Sequence, residues 1–107
     1  MFGSNLAGLH GAGAAKTALK IHGAILGRGR GPQGGSYAIP TKDENLESLP
    51  LEKIERHVEK FLKYAAKNIE KRFFLTRIGC GLAGYADEQI APFFKDAPSN
   101  VRKPEGW

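Results

Sequence analysis

Two glycine runs, each lying between a short apolar stretch and a helical pattern, constrain this chain more than any other feature. Glycine supplies 14 of the 107 residues, and most of it falls in 3–13, 23–35 and 79–84. A linker or a collagen-like chain would spread or repeat its glycine. Clusters at the ends of apolar runs instead describe tight loops whose backbone can approach a ligand. The first run passes from Phe2-Gly3-Ser4-Asn5 through Gly8-Leu9-His10-Gly11-Ala12-Gly13 into a helix, and the second from Ile78 through Gly79-Cys80-Gly81-Leu82-Ala83-Gly84 into another. In open α/β sheets, ligands bind at the carboxyl ends of the strands, where both loops would lie. There, a helix N-terminus supplies free N–H donors and a partial positive charge suited to phosphate. Neither loop is a Walker A motif, since no Gly-Lys-Ser/Thr follows. Neither is a Rossmann fingerprint, since no acidic residue ends a second strand.

The remaining elements follow from periodicity. Residues 1–5 read as the end of a short strand and 6–12 as loop. Residues 13–22 read as a helix, with Ala15, Ala18, Leu19 and His22 at i, i+3, i+4 and i+7, stopped by Gly23. Residues 24–26 read as a short strand, 27–35 as loop, and 36–41 as a strand that Pro40 confines to an edge or to the strand's end. After a polar linker over 42–50, residues 51–68 carry the clearest helix, with Leu51, Ile54, Val58, Phe61, Leu62 and Ala65 as its apolar stripe. Residues 73–78 read as a buried strand and 79–85 as loop. Residues 86–95 read as a helix that Pro92 shortens or restarts, with Ile90, Phe93 and Phe94 inward, and 100–102 as a last strand. This alternation predicts one α/β domain with a largely parallel sheet.

Composition agrees with a globular domain: 41% hydrophobic and 25% charged residues. The single cysteine, Cys80, precludes an internal disulfide and fits a reducing, cytoplasmic compartment. No apolar run reaches membrane-spanning length, and residues 1–5 lack the basic and apolar regions of a signal peptide. The net charge of +5 favours anionic ligands without naming one.

The asparagine ending the first strand, Asn5, the Gly11-Ala12-Gly13-Ala14 loop, and Ile78-Gly79-Cys80-Gly81-Leu82-Ala83-Gly84-Tyr85 together resemble the macro domain. That family has an asparagine at a strand end, a glycine run opening a helix, and much later a Gly-Thr-Gly-Ile-x-Gly loop. The resemblance covers most of the chain in order and is nearest to small phage-type and bacterial macro-like proteins, often compared with ADP-ribose 1″-phosphate phosphatases. It implies a three-layer sandwich with a mostly parallel central sheet and a shortened N-terminal strand. It also implies binding of ADP-ribose or a related nucleotide and needs no cofactor or metal. Asn5 would contact the distal ribose. Gly11, Ala12, Gly13, Ala14, Gly79, Cys80, Gly81, Leu82, Ala83 and Gly84 would hold the diphosphate, and Tyr85 would pack on the distal ribose. This chain departs from the family in having Cys80 where threonine or another small residue is usual. It also has Ala14-Ala15-Lys16 where many macro hydrolases carry an acid, and it lacks the usual adenine-contacting aspartate.

Two outcomes stay open: hydrolysis at the distal ribose, and binding without turnover. His10, inside the first loop beside Asn5, is the candidate acid or base, because imidazole titrates near neutral pH. His22 and His57 lack a second ligand at metal spacing. Cys80 reads as a packing thiol more readily than as a nucleophile. Arg28 and Arg30, alternating with glycine, suit phosphate capture, and Asp87 and Glu88 suit the first turn of a helix. Nucleic acid is the third class of partner, suggested by a pI near 9.5. Against it, Tyr37, Tyr64 and Tyr85 are not interleaved with basic residues on one strand, so no stacking platform is visible.

Overall fold

The computed structural model describes residues 1–8, 13–80 and 83–107, and only the backbone of Gly13, Ala14, Ala15 and Ile21. The chain forms β1 (Phe2–Asn5), α1 (Gly13–Ile21), β2 (Gly31–Gln33), β3 (Ser36–Lys42), α2 (Leu51–Lys67), β4 (Phe73–Phe74), α3 (Asp87–Ile90) with a 3₁₀ turn at Ala91–Phe94, and β5 (Val101–Arg102). The architecture is mixed α/β. Its radius of gyration of 12.4 Å is close to the roughly 13 Å expected of one packed body this long.

β3 is the middle strand of a three-stranded sheet ordered β1-β3-β2. It is parallel to β1 and antiparallel to β2, and β4 and β5 form a separate parallel pair. Met1 links the two sheets: its amino group donates to the Phe74 carbonyl at 3.1 Å, and Thr76 Oγ1 donates to the Met1 carbonyl at 3.2 Å. Gly3 lies where the following segment crosses closely, as a Cβ there would stand 3.4 Å from that of Ile78.

Alternation along the strands sends side chains to opposite faces. Tyr37 and Ile39 enter the larger core with Ile54, Val58, Phe61 and Ala65 of α2, together with Ile78, Ile90 and Phe94. Phe2 and Ala38 face the other way, onto Ala18 of α1 and Ala24. Each fully buried large apolar side chain contributes about 1.5–3 kcal/mol, so the α2 stripe anchors the fold. Asn100 fastens the C-terminal end of α2 and the turn after it by donating from Nδ2 to the carbonyls of Ala65, Asn68 and Lys71, of which the first two also accept from Asn68 and Lys71 N–H.

Three local expectations need revision. Residues 24–26 form no strand: Ile25 and Leu26 are exposed in a turn between Gly23 and Gly27, both at positive φ, and the second strand is instead Gly31–Gln33. Pro40 lies in the middle strand and is buried, yet β2 pairs only with Ser36–Ala38. At Pro40 itself the only paired strand is β1, since β2 has ended and the bridge to Ser48 comes later, at Lys42, so a missing N–H is tolerated. The strand expected over 73–78 pairs only at Phe73–Phe74, because Ile78 N–H turns back to the Thr76 carbonyl at 2.8 Å.

Candidate functional site

The chain leaves β1 at Asn5 and turns sharply. Leu6 N–H donates to the Lys42 carbonyl at 2.9 Å, and Gly8 N–H to the Asn5 carbonyl at 3.0 Å. Against this turn lies the arginine-bearing loop, with Gly27 N–H donating to the Gly8 carbonyl at 2.8 Å. The two segments meet backbone to backbone. A Cβ on Gly8 would stand 2.2 Å from the Gly27 carbonyl carbon, and one on Gly29 would stand 2.1 Å from the Asn5 oxygen. Real Cβ atoms do not approach so closely, so glycine is required at both positions.

Two buried polar side chains hold the arginine loop in place. Ser4 Oγ donates to the Gly29 carbonyl. Gln33 accepts from Ile25 N–H at 2.8 Å and donates to the Arg28 carbonyl at 3.0 Å. The result is a concave region of about 380 Å³ at the carboxyl end of β1, lined by Leu6, Gly27, Arg28, Gly29, Arg30 and Glu44. Arg30 also reaches the field of α2. Burial first, then Lys60 and Arg30, lowers the pKa of His57 below its ordinary value.

The second glycine loop joins the same edge through the end of β3. Lys42 accepts from Leu6 and bridges to Ser48, and Ser48 Oγ donates to the Ala83 carbonyl at 2.6 Å. Within the loop, Gly79 takes φ 76° and its carbonyl accepts from Tyr85 N–H at 2.8 Å. Tyr85 is half-buried, and its hydroxyl donates to the Leu49 carbonyl. Arg77 pairs with Asp87 at 2.6 Å and donates to the Glu105 carbonyl. The turn between the two loops contains Leu46 at φ 62°, a conformation uncommon for a non-glycine residue. It is held by Asp43 Oδ1, which accepts from Asn45 and Glu47 N–H at 2.8 and 3.0 Å.

Cys80 sits in this loop with its pKa pushed up to about 11. Burial is the main cause, followed by a hydrogen bond to and the charge of Asp87; Glu88 adds to the shift and Arg77 opposes it. At neutral pH it is a thiol, which disfavours nucleophilic chemistry. Among the described residues, no three His, Cys, Asp or Glu side chains cluster as a metal site. No helix among them is long and apolar enough to cross a membrane.

Of the residues singled out in the sequence, Asn5, Gly79, Cys80, Ala83, Gly84 and Tyr85 lie along this carboxyl edge, and Gly13 and Ala14 open α1. His10, Gly11, Ala12, Gly81 and Leu82 lie outside the described residues. Sequence reasoning missed Ser4 and Gln33. Gln33 carried a signal: it is the only long polar side chain between the Pro32 and Gly34-Gly35 turn residues that follow the arginines. No family model matches the chain, and neither the curated proteins nor the solved structures contain a match.

Proposed function

We propose that this chain is a macro-domain-like three-layer domain that binds ADP-ribose, or a related phosphate-bearing nucleotide, along its carboxyl edge. The observation that carries this reading is the hollow at the end of the parallel β1–β3 pair, lined by Leu6, Arg28 and Arg30 and linked through Lys42 and Ser48 to Ala83 of the second glycine loop. Backbone donors from 11–14 and 79–84 would hold the diphosphate, Asn5 would face the distal ribose, and the arginines would neutralise phosphate charge. The raised pKa of Cys80 supports a non-covalent role for the second loop.

A thermal-shift screen with ADP-ribose, its 1″-phosphate and NAD tests the reading. A ligand at 100 times its dissociation constant stabilises the fold by about 2.7 kcal/mol. Gly81→Glu should remove the shift while leaving the unliganded melting transition in place. His10→Ala separates hydrolysis from binding: an acid or base at the distal ribose would lose roughly 10²–10⁴-fold in turnover, with affinity little changed.

A further inference from the structure

Ala18 of α1 packs on Phe2 and Ala38 of the three-stranded sheet, whereas the separate β4–β5 pair carries a large exposed side chain. Phe73 points to the α2 side, where its ring packs edge-on against Phe61 and Tyr64 at centroid distances of 5.2 and 5.9 Å. Phe74 therefore projects to the opposite face, where it is 63% exposed. Its neighbour in the parallel register is Arg102, also exposed. Two concave regions, of about 680 and 630 Å³, share Arg72 and Phe74 among their lining residues. They form one trough with the Phe74 ring standing in it. The first region adds Ile69, which is 61% exposed, and Arg102; the second adds Lys71, Tyr64 and the hairpin tip at Gly34–Gly35.

The charge in this trough is one-sided. Lys71, Arg72 and Arg102 line it against a single carboxylate, Glu70. Arg72 and Arg102 have no ion-pair partner among the described residues. A large exposed aromatic on a sheet face, flanked by guanidinium groups, matches what proteins use to stack an unpaired base while neutralising the phosphates beside it. We propose that this trough binds a short single strand of nucleic acid, with one base stacked on Phe74 and the backbone tracked by Arg72 and Arg102. A second copy of the chain fits less well, because a two-fold contact would set the same three cations against one another. A bilayer surface fits less well too, since the apolar ring stands inside a concavity. The trough is separate from the carboxyl edge, so the two assignments stand or fall independently.

The test is fluorescence anisotropy with a labelled ten-nucleotide thymidine strand, titrated with the full chain at low salt. Binding should occur, should weaken as salt rises, and should exceed binding to a duplex of equal length. Phe74→Ala should weaken it by about five- to a hundredfold, the range for losing one stacking ring, while Phe74→Trp should retain it. Arg102→Gln should lower the slope of log affinity against log salt by about 0.7, the value for one phosphate contact on a single strand. Because Phe74 is exposed and outside the carboxyl edge, Phe74→Ala should leave both the melting transition and ADP-ribose binding unchanged. The proposal is overturned by any of three results: no binding by the wild type, duplex binding as tight as single-strand binding, or equal affinity in Phe74→Ala. Sedimentation showing a dimer that Phe74→Ala dissociates would assign the face to a second copy instead.

Discussion

The two glycine loops reach the same edge of the sheet by different construction. The first, at 5–8, is clamped backbone to backbone against 27–30, with Gly8 and Gly29 packed where no side chain fits. The second, over its described residues 76–80 and 83–86, is tied to neighbouring segments through side chains: Ser48 to Ala83, Tyr85 to Leu49, and Arg77 to Asp87. A Cβ on Gly84 meets nothing within 4 Å. The first loop is thus defined by shape and the second by a distributed set of hydrogen bonds. A backbone clamp fails as a unit when one Cβ intrudes. A set of side-chain fasteners loses one bond at a time.

The largest expected effect follows from that contrast. Gly29→Ala should destabilise the fold by about 3 kcal/mol or more, since overpacking costs 1–3 kcal/mol even where neighbours can shift, and here the neighbour is the main chain of Asn5. Gly84→Ala should cost only about 1–2 kcal/mol, the penalty for a left-handed backbone on a non-glycine residue. Urea titration of the two variants compares them, and equal losses would remove the distinction between the loops.

Cys80 gives the next effect. With its pKa pushed up from 9.0 to about 11, alkylation by iodoacetamide near pH 7.5 should run about a hundredfold slower than for a free thiol, because only the thiolate reacts. The rate should keep rising well beyond pH 9. Rapid labelling at neutral pH would show an activated cysteine and return the second loop to covalent chemistry.

A smaller effect falls on Tyr85. Tyr85→Phe removes one hydrogen bond to the Leu49 carbonyl and should cost about 0.5–1.5 kcal/mol, readable in a denaturation curve. An unchanged midpoint would mean that Ser48 and the loop's own backbone suffice.

The smallest is the pH response of His57. Burial, Lys60 and Arg30 lower its pKa, so the folded state disfavours the imidazolium. The unfolded chain then binds more protons just below the ordinary histidine pKa of about 6.5. Stability should fall as pH drops below that value and be insensitive to this group above it. His57→Gln should flatten that acid limb, and an unaltered limb would show that the pKa of His57 is not lowered in the folded state.

How much of this was legible in the residues depended on whether a feature is local. The order of element types was readable, because the α2 stripe and the Ala18-centred face of α1 repeat at helical spacing. Pro92 marked the break between α3 and the 3₁₀ turn. The second strand was misplaced at 24–26 because Ala-Ile-Leu is apolar, whereas the true strand, Gly31–Gln33, has a composition typical of loops and pairs only through its hairpin with β3. The candidate site was legible where glycine marked close approach. Its supports were not: Ser4 reaches Gly29 and Ser48 reaches Ala83 across 25 and 35 residues, and such partners leave no local pattern. The Phe74–Arg102 pairing is likewise a register between strands 28 positions apart, invisible to a search along any one strand.

Calorimetric titration of ADP-ribose into the wild-type chain and into an Arg28→Gln, Arg30→Gln double variant examines the carboxyl edge as a nucleotide site. Binding should be one to one in the wild type and at least about tenfold weaker in the double variant, as expected for losing charge-assisted bonds to phosphate, each worth roughly 1.5–3 kcal/mol. No heat of binding in the wild type, or an identical affinity in the variant, would contradict a phosphate-bearing ligand held between these two loops.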